Sequence, residues 1–453
     1  MLDIVILAAG KGTRMQSELP KVLHPIAGKP LVEHVIQTAA PLTDQPLNII
    51  VGHGAEAVSA AMQNYPTEFI AQEQQLGTGH AVQQALHRFR DEAIVLILYG
   101  DVPLIQESTL SSLIELASDN SLGLLTVTLK DSTGYGRIVR NSSGAVEAIV
   151  EQKDATDEQL AIKEVNTGIM AVSTKHLKQW LPTLSNNNAQ GEYYLTDIIA
   201  MACSEDVKVK TQQPKEEWEV LGVNDRRQQA QLERIYQQNQ AEQLMLAGVT
   251  LTDPARFDCR GDISVGRDVT IDINCIFEGQ VSIGNGVSIG ANCIVRNAVI
   301  GDDCDIKDNS IIEDSKLEAA CTVGPFARLR PGTQLAANAK IGNFVETKKA
   351  LIGKGSKVNH LSYVGDAILG EDVNIGAGTI TCNYDGVNKH QTQIQDRVFV
   401  GSNTALVAPV TLESGVTVAA GSTINRSVKE DKLVIARSSQ KTVSGWKRPE
   451  KKS

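Results

Sequence analysis

The sequence predicts a two-part α/β protein: a Rossmann-like N-terminal domain with a mixed or largely parallel sheet, a long connecting helix, and a C-terminal left-handed parallel β-helix of hexapeptide repeats. Three observations predict it. Residues 1–223 alternate strand-like and helix-like segments, residues 224–248 favour one helix, and residues 249–453 follow a six-residue period. A chain of 453 residues also exceeds one ordinary hydrophobic core.

The N-terminal elements are predicted from the period of their apolar residues. "DIVILAAG", "LNIIVGHG" and "AIVLILYGD" are typical of buried strands, whereas "PLVEHVIQTAA", "EAVSAAMQNY" and "TGHAVQQALHRFR" have helical spacing. This alternation predicts a sheet with helices on both faces. Ligands bind beyond the carboxyl ends of such strands, so "AAGKGTR" and "YGD" could face one crevice.

The connector, "NDRRQQAQLERIYQQNQAEQLMLAG", has no proline and is rich in Gln, Glu, Arg and Leu. It favours one helix of roughly 22 residues, about 33 Å long.

Beyond it, aliphatic residues recur at every sixth position in four series, often followed by a glycine or another small residue. They are Val265, Ile271, Ile283, Ile289 and Val295; Val323, Leu329, Leu335 and Ile341; Ile352, Val358 and Val364; and Ile394, Val400, Leu406, Leu412, Val418 and Ile424. A period of six predicts a parallel β-helix with three hexapeptides in each coil. Cys275 and Cys293, one coil apart, are expected to stack inside it rather than to bind a metal. The insert at 382–393 breaks the period and is expected to loop out.

Composition excludes several classes of protein. A formal net charge of −10 argues against a general nucleic-acid binder, and the apolar run "AIVLIL" is too short to span a bilayer. Seven cysteines without a Cys-x-x-Cys pair predict a reducing, cytoplasmic environment and no disulfide framework.

The loop "LAAGKGTRM" (7–15) predicts a phosphate site, although it matches neither a P-loop nor a dinucleotide fingerprint. Its backbone N–H groups, together with Arg14 and Lys21, suit a triphosphate. "QEQQLGTGHA" (72–81) adds amide side chains suited to a base edge. Asp101 ends a buried strand, where a carboxylate needs a cation such as Mg²⁺.

These residues carry a family resemblance. "LAAGKGTRM…PK" with "YGDVPL" resembles the sugar-1-phosphate nucleotidyltransferases. With "RLRPG", "GNFVETKKA", "NHLSYVGD", "GAGTITCNYDG" and "VGSNTALVAPV", almost the whole chain resembles the bacterial bifunctional uridyltransferase/acetyltransferases of that group. The resemblance implies acetyl transfer from acetyl-CoA to glucosamine 1-phosphate, then uridylyl transfer from UTP to N-acetylglucosamine 1-phosphate with release of pyrophosphate.

For the uridyltransferase half, the resemblance implies a direct transfer in which Arg14 and Lys21 stabilise developing charge beside Mg²⁺. Asp101 and Asn224 would hold the Mg²⁺. The implied substrate contacts are Leu7, Ala8, Ala9, Gly10, Lys21, Gln72, Gly77 and Thr78 for the nucleotide, and Tyr99, Gly100, Gly136, Glu151 and Asn166 for the sugar phosphate.

For the acetyltransferase half, the amine needs a base, and His360 suits proton removal near neutrality. The resemblance strengthens that role and adds Glu346 as the carboxylate that orients His360. Glucosamine 1-phosphate would be bound by Arg330, Lys348, Tyr363 and Asn374. Acetyl-CoA would be bound by Ala377, Asn383, Tyr384, Ser402, Ala420 and Arg437. The resemblance also implies a homotrimer with acetyl-transfer sites between subunits, and a basic tail (445–453) that helps to cover the acetyl-CoA site.

Two alternatives stay open. One is a nucleotidyltransferase whose β-helix is purely structural or regulatory, which His360, Arg330 and Lys348 weigh against. The other is a non-catalytic scaffold or exchange-factor subunit, which Lys21, Asp101 and Asn224 weigh against.

Overall fold

A computed structural model describes residues 1–449 and 451. The chain divides into two compact units, Met1–Tyr236 and Gln237–Ser453. The division falls inside the predicted connector at 224–248. Positions 450, 452 and 453 of the predicted basic tail lie outside the described residues.

The first unit is built on one nine-stranded sheet and a separate two-stranded hairpin. The strands are β1 (Leu2–Ala8), β2 (Pro25–Ile26), β3 (Lys29–Pro30), β4 (Leu47–Val51), β5 (Thr67–Ala71), β6 (Ile94–Tyr99), β7 (Ser121–Thr128), β8 (Arg137–Arg140), β9 (Val146–Val150), β10 (Glu164–Ser173) and β11 (Lys208–Gln212). The strand order is β11-β7-β10-β6-β1-β4-β5, with β8 pairing with β10 and β9. The β6-β1-β4-β5 run and the β11-β7 pair are parallel, whereas β10 is antiparallel to β6 and β7. The predicted mixed sheet is confirmed.

Helices cover both faces of this sheet. The α-helices of the chain are α1 (Leu31–Ala39), α2 (Ala55–Met62), α3 (Thr78–Ala85), α4 (Glu107–Glu115), α5 (Asp157–Leu160), α6 (Thr174–Trp180), α7 (Asp197–Ser204) and α8 (Arg226–Leu246). Alternate residues of β1 enter two cores: Ile4 and Ile6 pack with α1 and α4, and Val5 and Leu7 pack with α3, α6 and α7. A strand buried on both faces explains the unbroken apolar run at the N-terminus.

Two neighbouring strands bring the predicted motifs to one edge of the sheet. β1 and β6 are parallel, with Leu7 opposite Tyr99, and the Gly100 N–H donates to the Leu7 carbonyl oxygen at 2.9 Å. The loops that follow the two strands therefore leave the sheet side by side.

Helix α8 has the predicted length and composition. At its start the Asp225 carboxylate accepts from the backbone N–H groups of Arg227 and Gln228, both at 2.9 Å, which satisfies two otherwise unpaired donors. Near its middle the Gln237 amide makes a reciprocal pair with the Cys259 backbone, at 2.7 and 2.8 Å. No helix among the described residues combines the length and apolar character needed to cross a membrane.

The second unit is a coil of short parallel strands. They are β12 (Thr250–Leu251), β13 (Phe257–Val265), β14 (Thr270–Ile271), β15 (Cys275–Ile283), β16 (Ser288–Ile289), β17 (Ile294–Ile300), β18 (Asp305–Ile306), β19 (Ile311–Glu313), β20 (Lys316–Leu317), β21 (Thr322–Val323), β22 (Arg328–Leu329), β23 (Gln334–Leu335), β24 (Lys340–Asn343), β25 (Glu346–Ile352), β26 (Lys357–His360), β27 (Tyr363–Leu369), β28 (Asn374–Ile375), β29 (Ile380–Cys382), β30 (Thr392–Ile394), β31 (Phe399–Val400), β32 (Ala405–Val407), β33 (Val410–Leu412), β34 (Thr417–Val418), β35 (Thr423–Ile424) and β36 (Leu433–Val434). Strands of successive coils pair in parallel, as Ile271 does with Ile289. The hexapeptide aliphatics form one continuous core, so the predicted β-helix is confirmed.

The stacked cysteines are interior residues, as predicted. Cys275 and Cys293 are 1% and 0% exposed, and their thiols donate to the Gly290 and Lys307 carbonyl oxygens at 3.2 and 3.3 Å. Burial raises their pKa values to about 11 and about 12, which makes them inert. All seven cysteines are free thiols.

Candidate functional sites

The first unit carries a cleft of about 590 Å³ at the carboxyl edge of β1 and β6. Its lining contains every residue predicted to contact the nucleotide. It also contains Asp101, a predicted Mg²⁺ ligand, and Tyr99, a predicted sugar contact. The lining residues are Leu7, Ala8, Ala9, Gly10, Lys11, Lys21, Val22, Gln72, Gln75, Gly77, Thr78, Ala81, Tyr99, Asp101 and Glu192. Such convergence at the end of parallel strands is the arrangement expected of a nucleotide site.

The glycine loop owes its shape to one close approach. Gly12 has φ +60°, and a Cβ at that position would lie 2.6 Å from Cβ of Lys21, so only glycine fits without strain. The loop leads into a single 3₁₀ turn, Thr13–Met15, and not into an α-helix. The backbone groups that could donate hydrogen bonds to a phosphate here are therefore the N–H groups of the loop itself.

Three predicted residues converge on the ammonium group of Lys21, which lines the cleft. The Lys21 ammonium forms an ion pair with the Asp101 carboxylate and donates to Oδ1 of Asn224 at 3.3 Å. The Val223 N–H donates to the Asp101 carbonyl oxygen at 2.9 Å, which fixes Asn224 beside that strand end. A carboxylate and an amide oxygen thus point at one cationic atom. Because Mg²⁺ takes few protein oxygens and completes its shell with water and phosphate, this pair fits it.

The base side of the cleft is a clamped turn between β5 and α3. Gly77 has φ +112°, and a Cβ there would lie 2.6 Å from the Tyr193 carbonyl oxygen. That oxygen accepts from the Gly79 N–H at 2.9 Å, and the Tyr193 N–H donates to the carbonyl oxygen of Leu76 at 2.8 Å. The Thr78 hydroxyl accepts from Leu195 N–H at 3.1 Å. These bonds hold the turn against the wall of the cleft.

The predicted sugar contacts gather around the aromatic ring of Tyr99. A bulge in β10 between Asn166 and Met170 gives Gly168 φ +84°, and a Cβ there would lie 2.5 Å from the ring. The side-chain oxygen of Asn166 accepts from the Gly168 N–H at 2.9 Å. The backbone N–H of Asn166 donates to the carbonyl oxygen of Gly136 at 2.8 Å. Burial raises the pKa of Tyr99 well above its usual value, so the phenol remains protonated.

Glu151 completes this group. A Cβ on Gly136 would lie 3.2 Å from its carboxylate, and the Thr196 hydroxyl donates to that carboxylate at 3.2 Å. Burial, reinforced by Asp154 and Asp197, raises the pKa of Glu151, whereas the Thr196 bond lowers it.

A second cavity, of about 220 Å³, adjoins the cleft through Tyr99 and Asp101 and contains Arg14 and Asn224. Arg14 therefore lines this adjoining cavity and not the cleft itself.

Sequence reasoning missed several lining residues. Glu192 reaches the cleft from a loop far along the chain, and no motif marked it. Tyr135 and Gln228 line the adjoining cavity. Gln75 stood inside the quoted "QEQQLGTGHA" run, and its amide donates to the Gln72 carbonyl oxygen at 3.0 Å.

In the β-helix unit, the parallel register aligns the predicted phosphate-binding residues. Glu346 lies opposite Tyr363, and Lys348 lies opposite Gly365. The Arg330 guanidinium donates to the Glu346 carboxylate at 2.8 Å. A Cβ on Gly365 would lie 2.3 Å from the Tyr363 hydroxyl oxygen, so the phenol lies over this glycine beside Lys348.

Lys389, which sequence reasoning missed, joins this group from the insert. The positive charge of Lys389 is the largest cause of a lowered pKa at Lys348, and the charge of Arg330 is the next largest. Because Glu346 offsets the charge of Arg330 alone, three cations and one carboxylate leave a net positive group that favours an anionic ligand. The period break at 382–393 was the available signal for this residue.

His360 ends β26 at an exposed corner, three residues before Tyr363. The Glu346 carboxylate is paired with Arg330, and no hydrogen bond joins it to His360 within the described chain. The orienting role of Glu346 therefore stays a prediction.

The predicted acetyl-CoA residues follow one corner of the coil. The Asn403 N–H donates to the Ala377 carbonyl oxygen at 2.7 Å, and the Gly421 N–H donates to that of Ser402 at 2.8 Å. The Arg437 guanidinium donates to the Ala420 carbonyl oxygen. The insert adds Asn383, whose amide donates to Asp366 at 2.5 Å. Next to it is Tyr384, which is 60% exposed. Asn374, which is predicted to bind glucosamine 1-phosphate and not acetyl-CoA, stands at the start of β28.

Known proteins resemble this chain in both halves. Residues 4–188 match the MobA-like NTP transferase domain family, residues 259–336 the GMPPB C-terminal domain, and residues 391–426 the hexapeptide repeat of succinyl-transferase. Three relatives named bifunctional protein GlmU are similar over their whole length. Those of Cellvibrio japonicus and Saccharophagus degradans are 64% and 61% identical, with 100% of both chains covered. That of Marinobacter nauticus is 58% identical, with 99% of both covered.

Proposed function

Because the chain belongs to the family of bifunctional GlmU proteins, we propose that it makes UDP-N-acetylglucosamine in two steps. The amine of glucosamine 1-phosphate attacks the thioester carbonyl of acetyl-CoA, and the CoA thiol leaves. A phosphate oxygen of the resulting N-acetylglucosamine 1-phosphate then attacks the α-phosphorus of UTP, and pyrophosphate leaves. The observation that carries this proposal is the convergence of Asp101 and Asn224 on the Lys21 ammonium, where the nucleotide cleft adjoins the second cavity.

In uridylyl transfer the protein positions two anions and offsets their charge. The glycine loop and Lys21 hold the phosphates of UTP, and Arg14 approaches from the adjoining cavity. Asp101 and Asn224 would hold Mg²⁺, which supplies charge neutralisation at the phosphates. Glu151, Asn166 and Tyr99 hold the sugar. No covalent protein intermediate is needed.

In acetyl transfer the cations bind the phosphate of the sugar and His360 takes the proton. Arg330, Lys348 and Lys389 surround the phosphate position, with Tyr363 and Asn374 beside it. The imidazole of His360 removes a proton from the attacking amine. The corner residues Ala377, Ser402 and Ala420, with Asn383, Tyr384 and Arg437, bind acetyl-CoA.

We further propose a homotrimer in which acetyl-transfer sites form between subunits, and a cytoplasmic location. The exposed position of His360 supports the first, since a covering subunit would exclude water from the acetyl-transfer site and so strengthen its electrostatic interactions. The seven free thiols support the second.

The test omits each of glucosamine 1-phosphate, acetyl-CoA, UTP and Mg²⁺ in turn, and measures free thiol and pyrophosphate separately. Thiol release is expected to need only the first two reagents, whereas pyrophosphate release is expected to need all four. Pyrophosphate release from N-acetylglucosamine 1-phosphate without any acetyl-transfer activity would favour the alternative in which the β-helix is structural.

A further inference from the structure

The side-chain amide of Gln72 has its orientation set by its neighbours. Gln72 lines the nucleotide cleft and is only 3% exposed. Its Nε2 donates to the Gly77 carbonyl oxygen at 3.1 Å and lies 3.0 Å from Nδ1 of His80. Because an amide nitrogen carries two hydrogens, these two contacts use both. The amide oxygen has no hydrogen-bond partner in the described part of the chain.

The ring of His80 lies between the side-chain amides of Gln72 and Gln84. The position of the single ring hydrogen decides which of the two amides can donate to the ring. Its other ring nitrogen, Nε2, is 3.2 Å from Nε2 of Gln84. A neutral imidazole has one acceptor nitrogen, so only one amide NH₂ can donate to the ring. Each amide also donates to a backbone oxygen, Gln72 to Gly77 and Gln84 to its own neighbour His80 at 3.2 Å. Turning the Gln72 amide would set its oxygen against that of Gly77 at a buried position, whereas the half-buried Gln84 can turn and replace both of its contacts with water. His80 therefore accepts at Nδ1 and carries its hydrogen on Nε2.

We propose that His80 is a positioning residue that holds the Gln72 amide oxygen toward the bound base, so that the cleft selects a uracil ring over a cytosine ring. This inference rests on the proposed function, since it takes UTP as the nucleotide. His80 acts through Gln72.

The chemistry of the two bases explains the selection. Uracil presents a ring N–H between two carbonyl oxygens, and the Gln72 oxygen accepts from that N–H. The Gly77 N–H, which has no protein acceptor in the described part of the chain, donates to the adjacent carbonyl. Cytosine has a lone pair at the same ring nitrogen, which would face the Gln72 oxygen and leave both groups unsatisfied. A buried polar mismatch of this kind gives stronger discrimination than a difference in size.

The test measures kcat/KM for UTP and for CTP by pyrophosphate release, with N-acetylglucosamine 1-phosphate and Mg²⁺. His80→Leu removes the acceptor, and we expect kcat/KM for UTP to fall about tenfold to a hundredfold with no matching loss for CTP. His80→Asn places an amide oxygen near the Nδ1 position and should restore most of the UTP preference. His80→Gln carries its amide toward Gln84 and should restore less.

His87→Leu is the matched control, because His87 is exposed on the 3₁₀ turn after α3 and lines no described cavity. A purely structural role for His80 would lower UTP and CTP turnover in parallel, so an unchanged UTP/CTP ratio in folded His80→Leu overturns the inference. Wild-type protein that prefers CTP would overturn it too. Wild-type protein that turns over neither nucleotide would instead contradict the proposed function.

Discussion

The two candidate sites of this chain are built in opposite ways. The nucleotide site is a cleft of about 590 Å³ whose walls come from strand ends, a clamped turn and a distant loop of the same unit. The residues proposed for acetyl transfer lie along a regular coil, and His360, Tyr384 and Arg437 are exposed. A cavity of about 210 Å³ in the β-helix unit is lined by none of them.

This difference teaches how each architecture forms a site. An α/β sheet leaves a crevice where its loops diverge, so one chain can enclose a ligand. A coil with uniform cross-section does not enclose the residues along its surface, because each turn repeats the one before it. Residues on its surface become enclosed only when another surface covers them. The trimer proposal supplies that surface, since a closed symmetric assembly repeats the same contact for every subunit.

The largest expected effect tests the independence of the two sites. Asp101→Ala removes the carboxylate that pairs with Lys21 and, in the proposal, holds Mg²⁺. We expect UTP-dependent pyrophosphate release to fall roughly a thousandfold or more, with thiol release from acetyl-CoA almost unchanged. The exposed Asp119→Ala is the control. Loss of both activities in a folded Asp101→Ala protein would break the two-site comparison.

The reverse experiment removes the proposed base. His360→Ala should lower thiol release by about a hundredfold to ten-thousandfold, the range for a general base, and leave uridylyl transfer intact. Stopped assays of each half reaction near pH 7.5 measure this. An unchanged acetylation rate would exclude His360 as the base and leave its exposure without a catalytic meaning.

A third experiment tests the packing of the sugar side of the cleft. Gly168→Ala places a methyl group 2.5 Å from the Tyr99 ring at φ +84°, and we expect a loss of about 1–3 kcal/mol in stability with a raised KM for N-acetylglucosamine 1-phosphate. Gly144→Ala is a close control, because Gly144 has φ +82° and nothing within 4 Å of its added Cβ. Thermal unfolding separates the effects: equal losses in the two variants would mean that backbone strain, and not the Tyr99 contact, determines the cost.

The smallest effect concerns the cationic group of the β-helix. Lys389 lowers the pKa of Lys348, so Lys348 loses its charge at a lower pH than an ordinary lysine. Lys389→Met should raise that pKa, and the alkaline rise in KM for glucosamine 1-phosphate should move to higher pH. At neutral pH we expect KM to increase several-fold, because one of three cations is lost. An alkaline limb that stays in place would mean that Lys348 does not contact the phosphate.

Much of this molecule is determined by the sequence alone. The six-residue recurrence of aliphatic residues predicts the β-helix because no other structure buries every sixth side chain. The loop after the first strand predicts a phosphate site, and the Gln-rich, proline-free run predicts helix α8. These features depend on neighbours in the chain, so local patterns reveal them.

Only the tertiary structure decided which distant residues meet. Glu192 and Tyr193 reach the base turn across more than a hundred positions of chain, and Gly168 packs on Tyr99 through a bulge that no motif signals. The pairing of Glu346 with Arg330 follows from coil register. The orientation of the Gln72 side-chain amide depends on the hydrogen bonds that its Nε2 makes to His80 and Gly77. Such contacts arise from packing between elements, and residue order by itself does not encode which atoms face each other.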